Sequence, residues 1–307
     1  MKAVEIQYKN FGKCICLSNE IIEVVVTADV GPRVIAYNLI GGENVFFNDE
    51  ERKISVSNDD TDRFFGKGSK WYIYGGHRLW VSPEDYSTYY PDGTPVKYEL
   101  TGNGAVFSSD VPNMTGFSHS MEIILMGGAD VKVIHRVGNI SCKDMTFAPW
   151  ALSVMAPGGL EIVPQPDAPT GLLGNRVLAL WPYSDMSDDR VYWGKDYITV
   201  RQDSGAATPF KFGINLEPGW ACYINKGVVF IKKYNHNKNA VYPDFGVSFE
   251  TYTNAEFIEC ETLGELKTYK PDETAVHEEL WTLKPVNNVP DGKNPEKINE
   301  FVKGFVL

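Results

Sequence analysis

The sequence predicts an all-β fold, a large antiparallel β-sandwich folded as one domain over residues 1–307. Three observations carry this. Apolar residues alternate with polar ones at period two along most of the chain. Turn-forming glycine, proline, asparagine and aspartate punctuate these runs at intervals of roughly ten residues, the spacing of sandwiches and barrels. Helical periodicity is scarce. A hydrophobic fraction of 43% with 13% aromatic residues supplies enough apolar side chain for a single large core.

The elements follow in chain order. "IIEVVVTADVGPRVIAYNL" reads as two strands joined at Gly31-Pro32, and "HSMEIILMGGADVKVIHRVGNI" as two more around Gly127-Gly128. "YITVRQD", "PFKFGINL", "WACYINKGVVFIKKY", "FGVSFETYT" and "EFIECETLG" continue the series, and "AVHEELWTLKPV" closes it. One short helix is expected near 294–304, where Asn294 can cap and Pro295 takes the first helical position.

Composition narrows the partners. A net charge of -11 with a pI near 5.0 and no long basic run argue against nucleic acid, which needs clustered Lys and Arg. No apolar run approaches the length of a membrane span, so no membrane partner is expected. The N-terminus has no signal-like apolar region, so the expected location is cytoplasmic. The five cysteines include no CxxC, which speaks against a disulfide framework or a zinc site. Asp185, Asp188 and Asp189 in "YSDMSDDR" read as a solvated turn rather than a calcium loop, and no metal site is expected. Dinucleotide, P-loop, zinc-protease and nucleophile-elbow motifs are absent from the sequence. A small neutral or weakly charged molecule suits this balance best.

Two stretches point to chemistry. In "EFIECETLG" the strand period puts Phe257, Glu259 and Glu261 on one face and Ile258, Cys260 and Thr262 on the other. Two carboxylates on one face of a late strand need either solvent or a hydrated cleft, because burying unpaired charge is costly. In such a cleft neighbouring carboxylates raise one another's pKa and suit proton transfer. The second stretch, "WYIYGGHRLWVSPEDY", sets His77, Arg78 and Glu84 among aromatics after a glycine pair. Aromatic faces that stack on C–H patches, with polar groups for hydroxyls, suit a sugar. The plainer reading pairs Arg78 with Glu84 and sends the tryptophans to the core.

The chain resembles the galactose-mutarotase-like superfamily, the aldose 1-epimerase fold. "VVVTADVGPRVIAYNLIGGENVFF" is similar to the family's first hairpin, with its glycine turn, arginine and G-x-N-x-F segment. "PDFGVSFETYTNAEFIECETLG" followed by "YKPDETAVHEELWTL" is similar to its closing strands, and the likeness runs from about residue 4 to 284. Within that family the chain resembles a branch carrying "GGHRLW..PE". The resemblance implies a galactose-mutarotase-like supersandwich with a concave sugar-sized groove, a sugar or sugar derivative as partner, and acid–base opening and closing of a hemiacetal without a cofactor. Its E-T match maps the catalytic base onto Glu261, with Glu259 beside it.

The family's usual Asn-His before an apolar strand would fall near "FAPWALSVMAPGG", where Pro149, Trp150 and Ala151 stand instead. His77 is the replacement acid this reading offers, from a different strand. Arg78, Trp80, Glu84, Asp244, Glu259, Trp150 and Lys211 are the expected substrate-binding residues. Lys211 would favour an anionic sugar, while Trp181 and Glu250 stand between cleft and structural roles. Two alternatives stay open: a sugar-binding or sensing module that has lost the acid, and hydrolase or lyase chemistry around Glu259 and Glu261.

Overall fold

The computed structural model describes residues 1–306. Almost every strand pairs antiparallel with its neighbours in one of two extended sheets, of 11 and 10 strands. The larger sheet runs from Lys2–Gln7 through Lys13–Ser18, Ile22–Thr27 and Val34–Leu39 to Gly76–Ser82. It continues through Met145–Met155, Ile258–Leu263, Phe249–Thr253 and Phe210–Ile214 to Leu178–Leu180. The smaller sheet has Thr274–Pro285 near its middle, between Val228–Tyr234 and Asp130–Asn139. The fold is the sandwich the period-two pattern predicts.

The main core lies between the sheets. Tyr37 and Phe46 from the larger sheet's side meet Phe230 and Trp281 of the smaller one, with ring centroids 5.7–6.2 Å apart. Along Thr274–Pro285, Ala275, His277, Glu279, Trp281 and Leu283 point inward, whereas Val276, Glu278 and Leu280 face out. Gly76–Ser82 differs, because all seven of its residues are buried. One face packs on the smaller sheet. The other lies under a second aromatic cluster containing Trp71, Trp80, Trp150 and Phe257. A strand covered on both faces loses the polar alternation that marks a surface strand.

The C-terminal helix spans Pro295–Phe305, one residue from the expected limits at each end. Asn294 Oδ1 accepts from the amides of Glu296 and Lys297, satisfying two otherwise unpaired donors. Ile298, Phe301 and Val302 then pack on Ile162, Trp220 and Ile231, covering part of the smaller sheet's outer face. A second helix, Asp59–Phe65, goes unannounced in the sequence pattern. It has seven residues, buries only Thr61, and rests on a capping box between Asn58 and Thr61. Such an element is set by its cap and shows no apolar period.

The glycine pair before His77 has a steric cause. A Cβ on Gly75 would lie 2.1 Å from the Phe47 carbonyl oxygen, and one on Gly76 would lie 2.3 Å from that of Val34. Both also hold positive φ, 97° and 67°. Close passage of three backbone segments requires glycine here, rather than any need to turn the next side chains into a cleft.

Candidate functional site

The outer face of the larger sheet holds a cleft of about 390 Å³. Its floor comes from strands that the register sets side by side. Leu152 lies opposite both Arg78 and Glu261, Glu261 opposite Glu250, and Tyr252 opposite both Glu259 and Lys211. Residues two apart share a face, so Arg78, Trp80, Trp150, Lys211, Glu250, Tyr252, Glu259 and Glu261 all emerge on this side. Trp71, Tyr89, Trp181 and Tyr183 raise the walls.

Two ion-paired groups organise the floor. Arg78 Nη1 donates to Glu259 Oε1 at 2.9 Å, and the guanidinium lies 4.3 Å from the Trp80 ring centre. Lys211 Nζ donates to Glu250 Oε2 at 2.7 Å and Glu261 Oε2 at 3.2 Å. The same ammonium lies 4.9 Å from the Trp150 ring centre and 4.6 Å from that of Trp181. Trp150 Nε1 also donates to Glu261 Oε2, at 2.8 Å.

These pairings set the ionisation. Burial pushes the Glu259 carboxyl above the usual range, Arg78 pulls against it, and the charge of Glu261 adds to the rise. Burial pushes Glu250 well above that range, with Lys211 opposing and Glu261 adding. For Lys211 burial works against the charge, yet Glu261 and Glu250 outweigh it and hold the ammonium above its ordinary value.

The structure separates the expected site residues. Arg78, Trp80, Glu84, Trp150, Lys211 and Glu259 line the cleft. Arg78 pairs with Glu259 and not with Glu84, which sits at the rim and accepts from the Tyr89 hydroxyl. Glu261 is fully buried beneath Lys211 and Trp150, outside the cavity wall. The expectation of a hydrated Glu261 is therefore corrected: one cation, Lys211, and the Trp150 indole N–H compensate it instead of water. Asp244 is half-buried in a turn closed by bonds from the Gly246 and Val247 amides to the Pro243 carbonyl. It does not line the cleft, though its charge is felt at Glu250. With Lys211 taken up by two carboxylates, the expected preference for an anionic sugar has no free cation behind it.

His77 requires the largest correction. It follows the strand alternation away from Arg78 into the space between the sheets, where it is fully buried. Its Nδ1 lies 2.8 Å from Ser153 Oγ and its Nε2 2.7 Å from His135 Nε2. His135 Nδ1 bonds the His277 carbonyl at 3.0 Å, and His277 Nε2 lies 2.7 Å from Thr262 Oγ1. Thr262 and Trp281 donate to Glu279, which Lys232 Nζ neutralises at 3.0 Å. Burial holds His77 well below its ordinary pKa. It cannot reach a ligand in the Arg78 cleft.

Ligand atoms of His77, His135 and Glu279 lie within 4.8 Å of one another. Two imidazole nitrogens on a tetrahedral zinc stand about 3.3 Å apart at ordinary Zn–N lengths. The 2.7 Å separation fits a shared proton better, and Lys232 already balances Glu279. The donor set is that of a hydrogen-bonded network.

Sequence reasoning overlooked Tyr89, Tyr183 and Tyr252 as walls. Tyr252 was accessible, since it stands two residues from Glu250 in "SFETYT" and shares its face. Tyr89 and Tyr183 lie on a short helical turn and an irregular segment, where no period predicts direction.

No protein-family model matches the chain, and no curated protein matches it in sequence. Solved structures do. A galactose mutarotase-like protein from Lactobacillus casei superposes with a TM-score of 0.53 at 10% identity, covering 88% of this chain and 100% of its own. One from Clostridium acetobutylicum gives 0.53 at 12% identity, covering 93% and 99%. At such identity the likeness carries the fold alone: the chain has the architecture of a galactose mutarotase-like sandwich.

Proposed function

We propose that the protein binds a neutral sugar in the Arg78 cleft and exchanges its anomers by acid–base chemistry at Glu259. The observation behind this is the Arg78–Glu259 pair set at the floor of a cleft walled by tryptophan and tyrosine. Indole and phenol faces accept the C–H face of a sugar ring, and the ionic pair offers both donor and acceptor to its hydroxyls. A volume of about 390 Å³ suits one ring.

In this reading Glu259 takes the proton from the anomeric hydroxyl, the C1–O5 bond breaks as the carbonyl forms, and the ring oxygen receives a proton. Rotation about C1–C2 and the reverse transfers give the other anomer. A carboxyl held above its usual range is a better base than an exposed one. Tyr183 and Tyr252 line the cleft with hydroxyl protons to offer the ring oxygen. Glu261 acts as a positioning residue, holding Trp150 and Lys211 in place.

A second reading is binding without turnover. It is favoured by the histidines, none of which lines the cleft among the described residues. Polarimetry on freshly dissolved α-glucose and α-galactose, together with calorimetric titration, separates the two. Accelerated equilibration supports the enzyme. Saturable binding at the spontaneous rate supports the binding module, and neither result removes both.

A further inference from the structure

A second cavity, of about 340 Å³, lies on the other side of the segment that follows Arg78. Val81, Pro83, Val111, Phe117, Met145 and Phe147 give it an apolar side, and hydroxyl-bearing serines and threonines line much of the rest. His119 also lines it. This side chain is 4% exposed, its Nδ1 lies 3.2 Å from the Tyr90 hydroxyl, and its Nε2 has no partner. A buried polar nitrogen without a partner is unusual enough to need a cause. Trp80 and Glu84 belong to the walls of both this cavity and the cleft, so the two adjoin.

We propose that this cavity is a second binding site, for a small uncharged aryl or short alkyl group carrying one hydrogen-bonding atom. The apolar walls gain by covering such a group, and its hydrogen-bonding atom finds His119 Nε2 or the hydroxyls of Ser87, Thr115 and Thr146, which line the same cavity. Burial pushes the imidazole down to about 4, so it meets the ligand uncharged at neutral pH. Glu84 and Asp85, both exposed at the cavity edge, turn anions away. Where the sugar reading holds, on which this extension rests, the group is an apolar substituent on the sugar that reaches past Trp80. Occupancy of the cavity does not depend on that reading.

The test uses phenol alone and a pair of glycosides. Phenol is expected to bind the full-length protein saturably, and Val111→Trp, which fills the cavity, to weaken it about tenfold or more. Ser87→Trp fills it from another wall and guards against a folding defect in the first variant. Phenyl glucoside is expected to bind about tenfold tighter than methyl glucoside, with the gain lost in both variants. Failure of phenol to saturate, or equal binding by wild type and both variants, overturns the proposal. Phenol binding with neither glycoside bound supports the cavity and sinks the sugar reading. Methyl glucoside binding without phenol does the reverse.

Discussion

His77 and Arg78 are consecutive in the chain and serve opposite faces of one sheet. The imidazole lies 2.7 Å from His135 between the sheets, and the guanidinium 2.9 Å from Glu259 in the cleft. Adjacent substitutions should therefore report on different properties. His77→Phe leaves His135 Nε2 and Ser153 Oγ without a partner and is expected to cost about 1–3 kcal/mol of stability, with ligand affinity kept. Arg78→Met should weaken ligand binding. Urea unfolding and calorimetric titration of both variants check the separation, and weaker ligand binding in folded His77→Phe would contradict it.

Glu259→Gln keeps the shape of the cleft floor and removes its base. Anomer exchange is expected to fall about 100-fold or more, with binding of the sugar retained. The rate of optical-rotation change in the variant decides this, and wild-type activity there moves the base elsewhere.

Lys211→Met leaves Glu250 and Glu261 buried without their counter-charge. The expected loss is about 3–5 kcal/mol at neutral pH. Adding Glu261→Gln should recover part of it, because one buried charge is then gone. A denaturant series on the single and double variants reads the recovery.

The histidines set the acid side of the stability profile. Burial pushes His277 down to about 3 and His119 to about 4, from an ordinary 6.5. The unfolded chain thus binds protons that the folded one refuses. This stability is complete above about pH 6.5 and is lost as pH falls toward 3, at about 1.4 kcal/mol per unit per group. Unfolding midpoints measured from pH 7 to 5 should decline, and His277→Gln should flatten the decline.

Glu161 acts in the opposite sense. It lies wholly buried, accepts from Thr251 Oγ1 at 2.6 Å, and is pushed by burial up to about 8 from an ordinary 4.5. Folding then favours the protonated form, so this contribution is present below 4.5 and is lost as pH rises through 8. Glu161→Gln is expected to gain on the wild type steadily between those limits. A constant difference across that range would refute the shift.

Much of the sandwich was legible in the sequence because strand alternation is local. The same rule placed Glu259 and Glu261 on one face correctly. The rule equally parts His77 from Arg78, against the shared cleft that the surrounding aromatics suggest, and burial of this strand on both sides hides the alternation. The pairing of Lys211 with Glu250 and Glu261 spans strands far apart in sequence, and no local pattern contains it. The same holds for the His77, His135 and His277 network, whose members come from three strands in two sheets.

The tight passage at Gly75 and Gly76 has a consequence for how the larger sheet is indexed. Moving the Gly76–Ser82 strand by one position would carry a side chain into the Val34 carbonyl or, in the other direction, into that of Phe47, and turn every residue on that strand over. The guanidinium would then enter the dry space among the histidines, and the imidazole would face outward. Two missing methyl groups thereby act as a stop that fixes which chemistry each side of the sheet receives.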